Sequence, residues 1–199
     1  GSGYRMKTRF SKFFNLPELI NMFKEVADIK TADMLNLPVP NAHYQNVAVK
    51  PSDIQKELVE SLGERAQKIR DGTVDPHEDN MLKITNDGRK LALDQRLINE
   101  LLPENKNSKV NACIKNILKI YHATVVEKST QLVFCDMSTP RNDAFNVYDE
   151  IRNKLLEEGI LESEIAYIHN AKTDVKKKEL FSKVREGKVR ILIGSTGKM

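Results

Sequence analysis

The alternation of apolar runs and helical patterns over residues 130–194 constrains the fold of this chain more than any other feature. Three compact apolar runs stand out: TQLVFC at residues 130–135, IAYIH at 165–169 and VRILIG at 189–194. Short, continuous apolar runs of this kind are typical of strands buried on both faces of a parallel sheet. Helical spacing between the runs therefore predicts right-handed βαβ units and an α/β fold with flanking helices.

The segment before the sheet is predicted to be mostly helical. We predict a helix over residues 15–30 with Asn15 as its N-cap, and a second helix that begins at Ser52. Ser52 is followed three residues later by a glutamine, which is the pattern of a capping box. Between the second and third apolar runs, Thr173 is predicted to cap a further helix. A short helix is predicted over residues 86–93, and a short strand around residues 47–49.

Composition indicates a globular protein without a membrane segment. The chain has 199 residues, of which 40% are hydrophobic and 30% charged. It contains neither an apolar run of about 20 residues nor a signal-peptide pattern, so we expect no membrane partner and a cytoplasmic location. Residues 1–3 are interpreted as the remnant of an expression tag. The net charge of +4 permits an anionic partner without requiring one.

Small polar residues follow each of the three predicted strands, where the sequence reads CDMSTP, HNAKTD and GSTGKM. Ligands of parallel α/β sheets gather at the carboxyl ends of the strands. Hydroxyl and backbone N–H groups at such turns can hold phosphate oxygens. The same residue types also serve simply as turn and cap residues, and both interpretations stay open at this point.

The last of these turns resembles a P-loop but lacks two of its positions. The P-loop pattern requires a glycine where Leu192 stands and a serine or threonine where Met199 stands. Lys198 is therefore not a Walker lysine. The four histidines are scattered without the spacing of metal ligands, so we expect no metal site.

Basic residues outnumber acidic ones in the segment from residue 172 to residue 190. A solvent-exposed helix often has this composition. Because the segment directly follows the second predicted strand, it is also suited to sequence-independent contacts with a phosphate backbone.

The second half of the chain resembles the C-terminal RecA-like lobe of superfamily 2 helicases and translocases, in their Swi/Snf-type branch. The string SKVNACIKNIL is similar to the helix before that lobe, TQLVFCDMSTP to helicase motif IV, and the segment ending in VRILIGSTGKM to the approach to motif V. Two longer strings are similar to very large bacterial proteins of phage and mobile elements: RFSKFFNLPELINMFKEVADIKTADMLNLPVP and EDNMLKITNDGRKLALDQRLI. Those proteins combine a helicase with an adenine-specific DNA methyltransferase.

The resemblance implies an ATP-driven motor that moves along duplex DNA with two RecA-like lobes. It implies ATP and Mg in the parent enzyme, with DNA and a missing N-terminal helicase lobe as partners. From the resemblance and the basic segment together, the predicted DNA-binding residues are Asp136, Ser138, Thr139, His169, Asn170, Lys172, Lys176, Lys177, Ser195 and Thr196. The resemblance places Gly194 and Gly197 in the part of motif V that borders the ATP cleft.

The resemblance also implies an organisation into segments. Residues 4–50 correspond to the tail of the first lobe and the interlobe linker, 51–107 to a helical segment, and 108–199 to a partial C-terminal lobe that stops within motif V. Walker A, Walker B and the arginine finger of motif VI are missing, so we expect an inactive fragment with no catalytic residue and no bound cofactor. One alternative is a non-catalytic protein- or nucleic-acid-binding module with a βαβ core. Another is a flavodoxin-like or receiver domain, which would need an acidic pocket or flavin loop that the sequence lacks.

Overall fold

The structure is a computed structural model that describes residue 12 and residues 14–35, 37–140 and 144–199. Residues 1–3, interpreted above as a tag remnant, lie outside the described residues. The chain divides into two units, Gly1–Asn46 and Val47–Met199. In the first unit, helix α1 spans Leu16–Lys24 and a 3-10 turn spans Ala32–Met34.

The prediction for α1 was wrong in its cap and in its length. Asn15 adopts a left-handed conformation with φ 58° and its side chain makes no capping hydrogen bond. Its amide instead donates to the carboxylate of Glu18. The helix ends at Lys24, six residues before the predicted end at residue 30.

The second unit contains the remaining helices and all the described strands. In chain order these are α2 Asp53–Arg70, α3 Met81–Leu93, α4 Lys109–Ala123, β1 Gln131–Phe134, α5 Val147–Glu157, β2 Ile165–Tyr167, α6 Asp174–Arg185 and β3 Ile191–Gly194. The strand predicted around residues 47–49 is not formed. Helix α3 begins five residues earlier than predicted, because Asn80 caps it by accepting the N–H of Lys83.

Local capping signals are confirmed in α2 and α6. The hydroxyl of Ser52 accepts the N–H of Gln55 at 3.0 Å, and the Gln55 side chain accepts the N–H of Ser52 at 2.9 Å, which completes the capping box. Thr173 caps α6 by accepting the N–H of Lys176. After α6, Gly187 has φ 69°, and a Cβ there would lie 2.9 Å from the Cβ of Lys128. Glycine is therefore required at this turn.

The sheet is parallel, with strand order β1-β3-β2. Its register pairs Leu132 with Leu192, and Ala166 also with Leu192. The predicted α/β fold, with a parallel sheet, flanking helices and a mostly helical preceding segment, is confirmed. It is consistent with a partial RecA-like fold.

The hydrophobic core lies on the face of the sheet that α4 and α5 cover. Val133 of β1 and Ile193 of β3 point to this face and are buried against Ile114 of α4 and against Tyr148 and Leu155 of α5. On the opposite face, Leu132 and Phe134 are 54% and 56% exposed. Helix α6 contributes no buried residue. The two faces of the sheet are thus covered unequally.

A buried arginine ties α4 to the start of β3. Arg190 is 3% exposed, and its guanidinium donates to the carbonyls of Tyr121 and Thr124, at 2.8 and 2.9 Å, at the end of α4. It also lies 3.9 Å over the Tyr121 ring. Arg190 lies in the basic segment 172–190 that was predicted to be exposed to solvent, and for this residue the prediction was wrong.

The helices before the sheet are joined to it by charged groups. Arg96, just after α3, forms ion pairs at 2.9 Å with Asp94 and with Glu150 of α5. The same guanidinium lies 4.2 Å over the ring of Phe145. Helices α2 and α3 belong to the same unit as the sheet. Within the described ranges, no helix combines the length and apolarity needed to cross a membrane.

Candidate site at the carboxyl ends of the strands

The turns after β1 and β3 are joined by one carboxylate. Asp136 accepts the backbone N–H of Thr196 through one oxygen at 2.7 Å and its hydroxyl through the other at 2.9 Å. The register explains this contact, because Phe134 is paired with Gly194 and each turn begins just beyond. The structure thus brings together two predicted site residues. The contact also engages both hydrogen-bond donors of Thr196 within the protein.

Ser138 and Thr139 have different surroundings. Ser138 has φ 58°, and its hydroxyl accepts the N–H of Val147 at 2.9 Å, at the first residue of α5. Its oxygen therefore helps to start that helix. Thr139 is half-buried and lines a cavity of about 190 Å³ together with Arg96 and Phe145.

The two predicted cofactor glycines differ in what the fold demands of them. A Cβ at Gly194 would lie 2.5 Å from Cγ2 of Ile168 and 2.7 Å from Cε of Met199, so packing alone requires glycine there. A Cβ at Gly197 would meet no atom within 4 Å. The carbonyl of Ser195 accepts the N–H groups of Lys198 and Met199, which closes the final turn.

His169 and Asn170 follow β2 in a 3-10 turn. The His169 ring meets the Tyr148 ring edge to face, with ring centroids 5.4 Å apart. Its buried Nδ1 has no hydrogen-bond partner among the described residues. Burial, with a smaller contribution from the charge of Lys198, lowers the pKa of His169. The imidazole is therefore neutral at neutral pH and adds no positive charge to the strand ends. Asn170 is exposed.

The three predicted lysines lie around the start of α6. Lys172 and Lys176 are exposed and Lys177 is half-buried, and none forms an ion pair with any residue that the structure describes. Because the N-terminus of a helix carries partial positive charge, lysines there are not compensated by the helix dipole. Lys176 also borders an open cleft of about 460 Å³ along β2, together with Arg152 and Asn170.

Two contributors to this region were missed as site residues by sequence reasoning. Lys198 was considered only as a Walker lysine, yet its charge reaches His169. Tyr148 is fully buried, donates its hydroxyl to the carbonyl of Cys135 at 2.6 Å and forms one wall beside His169. Lys198 could have been found, because it stands in the sequence GSTGKM at the end of the third strand. Tyr148 could not, because its spacing in the sequence indicates only a core position of a helix.

The strand-end residues do not by themselves fit a nucleotide cradle. The side chains of Ile168 and Met199 fill the space beside the Gly194 Cα, so a phosphate group has no room there. The N–H and the hydroxyl of Thr196 already donate to Asp136. Among the described residues, no group of three or more His, Cys, Asp or Glu side chains is arranged to hold a metal ion. Comparisons with models of protein families, with curated proteins and with solved structures found no match.

Proposed function

We propose that this chain supplies DNA-backbone contacts to an ATP-dependent DNA helicase or translocase, as part of its C-terminal RecA-like lobe. The observation that carries the proposal is the group of unpaired lysines at the start of α6, namely Lys172, Lys176 and Lys177, beside the carboxyl end of β2. The sequence resemblance to helicase motifs IV and V supports it. The parent enzyme would act in the bacterial cytoplasm.

The chemistry of these side chains suits phosphate rather than bases. A lysine ammonium is a mobile point charge that contacts phosphate without reading sequence. The rings of Tyr148 and Tyr167 beside the strand ends are buried, and Phe134 at the end of β1 is a single exposed ring rather than a row of rings on which successive bases stack. We therefore assign Lys172, Lys176 and Lys177 to phosphate contacts, and Asp136 and Thr196 to holding two neighbouring turns in a fixed relation.

ATP and Mg²⁺ would be held mainly by the N-terminal lobe of the parent enzyme, with Gly194 and Gly197 at the border of the cleft. The chain alone is proposed to be inactive. Purified protein should show no DNA-stimulated release of phosphate from ATP above the buffer rate. A DNA-dependent rate that scales with protein concentration would contradict this part of the proposal.

The DNA proposal is tested by measuring affinity for a short duplex as a function of salt concentration. Replacing Lys172, Lys176 and Lys177 together by glutamine should lower the slope of log K against log salt by roughly 2.7, since each lost phosphate contact removes about 0.9. The matched control replaces Lys68, Lys109 and Lys119, which are exposed lysines on α2 and α4, by glutamine. Equal loss in both triple variants would show non-specific attraction and would reject the α6 site.

A second candidate function is a non-catalytic module that docks a protein partner. Helix α1 favours it, because Leu19, Met22 and Phe23 are all substantially exposed on this short amphipathic helix. Such a module should bind duplex DNA weakly at every salt concentration. The salt titration therefore separates the two candidates.

A further inference from the structure

A second basic site lies on the flank of α4 and involves none of the α6 lysines. A cavity of about 290 Å³ opens between the chain segment before α2 and the first turns of α4. We call it the α4 pocket, and the lining residues that matter for its chemistry are Val49, Lys50, Lys106, Ser108, Ala112 and Lys115.

The charge of the α4 pocket has one sign. Lys50, Lys106 and Lys115 are exposed, and none of them forms an ion pair with a described residue. The lining contains no aspartate or glutamate. Glu104, two residues before Lys106, is engaged by Lys154 and by the amide of Asn111. Three lysine side chains therefore line one cavity that has no carboxylate in its wall.

Ser108 adds a buried donor to the pocket. Ser108 is 3% exposed, and its hydroxyl oxygen accepts the N–H of Asn111 at 3.1 Å. Among the described residues, no acceptor takes the proton of that hydroxyl. Ser108, Ala112 and Lys115 stand at positions i, i+4 and i+7, which places them on one face of α4. The face thus combines a donor, a small apolar residue and a cation.

We propose that the α4 pocket binds a phosphate group. Its polar side chains offer ammonium and hydroxyl donors, and the first turn of α4 contains no acidic residue to repel an anion. Val49 and Ala112 provide apolar wall, which limits competition by water. The ligand is a phosphomonoester or a phosphodiester, and its source is either a free phosphate compound or a nucleic-acid backbone. This site shares no residue with the α6 lysines and does not depend on the proposed function.

The direct test uses sodium pyrophosphate as the probe, with sodium chloride of matched ionic strength as the blank. Backbone amide signals of Ser108 and Ala112 should shift saturably in an NMR titration. Single substitutions Lys50→Gln, Lys106→Gln and Lys115→Gln should each weaken binding roughly fivefold, as expected for loss of one solvated charge pair near 4 Å. Lys→Arg at each position should retain binding.

The matched control is Lys68→Gln, which removes an exposed lysine from the last turn of α2, outside the pocket. Lys68 forms no ion pair with a described residue. Its pyrophosphate affinity should stay within about twofold of that of the unmodified chain, because a helix rise of about 1.5 Å per residue places Lys68 roughly 20 Å along α2 from the pocket, where its charge is screened. No saturable shift, or an equal loss of affinity in Lys68→Gln, would overturn the proposal.

Duplex DNA distinguishes the two sources of phosphate. If the triple variant of Lys50, Lys106 and Lys115 lowers the salt slope of DNA binding, the phosphate belongs to a nucleic-acid backbone. If pyrophosphate binding weakens while the DNA slope is unchanged, the ligand is a free phosphate compound. Substitutions of Lys172, Lys176 and Lys177 should leave pyrophosphate binding at the α4 pocket unchanged, so failure of one site is visible independently of the other.

Discussion

The two faces of the sheet differ in how much of the chain they bury. On the α4 and α5 face, Val133 is buried, whereas its neighbour Leu132 on the α6 face is more than half exposed. Successive strand residues point to opposite faces, so the contrast within the edge strand β1 is one between the two faces. In the central strand β3, Leu192 on the α6 face is buried as well. Helix α6 carries lysines instead of buried apolar residues. Burial of the edge strand is therefore concentrated on the α4 and α5 face.

The largest expected effect comes from shortening one leucine on each face. Leu155 of α5 is fully buried at 0% exposure, so Leu155→Ala should lower the free energy of unfolding by about 3 kcal/mol through lost burial and a cavity. Leu132→Ala should cost less than about 1 kcal/mol. Urea unfolding followed by circular dichroism measures both. Equal losses of unfolding free energy in the two variants would contradict the difference in burial between the two faces.

A smaller effect is expected from the arginine that anchors α4. Arg190→Met should cost about 2 kcal/mol, because the carbonyls of Tyr121 and Thr124 lose their donor in a buried setting. Arg185→Met on the exposed side of α6 should change stability by less than about 0.5 kcal/mol. If the two substitutions cost the same in urea unfolding, the anchoring role of Arg190 is wrong.

The smallest expected effect is a pH dependence from His169, which packs against Tyr148. The pKa of His169 is lower in the folded state than in the unfolded chain. The unfolded state therefore binds more protons just below the ordinary histidine pKa of about 6.5. The stability that depends on neutral His169 is present above that pH and is lost as pH falls toward the folded-state pKa.

Replacing His169 by glutamine should flatten the stability profile between pH 7.5 and about 5.5, measured by urea unfolding at each pH. Replacing exposed His77 by glutamine controls for the loss of an imidazole. A profile for His169→Gln that falls as steeply as that of the unmodified chain would show that burial of His169 does not act on stability.

Local signals were the most predictable part of this structure. Ser52 with Gln55, and Thr173 with the start of α6, are confirmed because a cap depends on residues within four positions of each other. The predicted cap at Asn15 was wrong, although asparagine is a common N-cap residue, because its side chain donates to the Glu18 carboxylate and does not cap the helix. The buried Arg190 stood in a basic run, and only its distant partners in α4 distinguish it from its neighbours.

The candidate site was predictable in position but not in its internal bonds. Parallel strands predicted that the turns containing Asp136 and Thr196 would meet. Nothing local indicated that Asp136 would take up both donors of Thr196, because that contact joins residues 60 positions apart. The assignment to a helicase lobe stays a prediction that rests on sequence resemblance.

The strand order has a consequence for folding of this protein during its synthesis on the ribosome. In the described chain β1 and β2 pair only with β3, and β3 is the last of the three to be synthesised. The sheet therefore waits for residues 191–194 before any of its ladders can close. Until then, two apolar strands have no sheet partner, which makes the nascent chain dependent on slow, long-range pairing and exposed to misassociation.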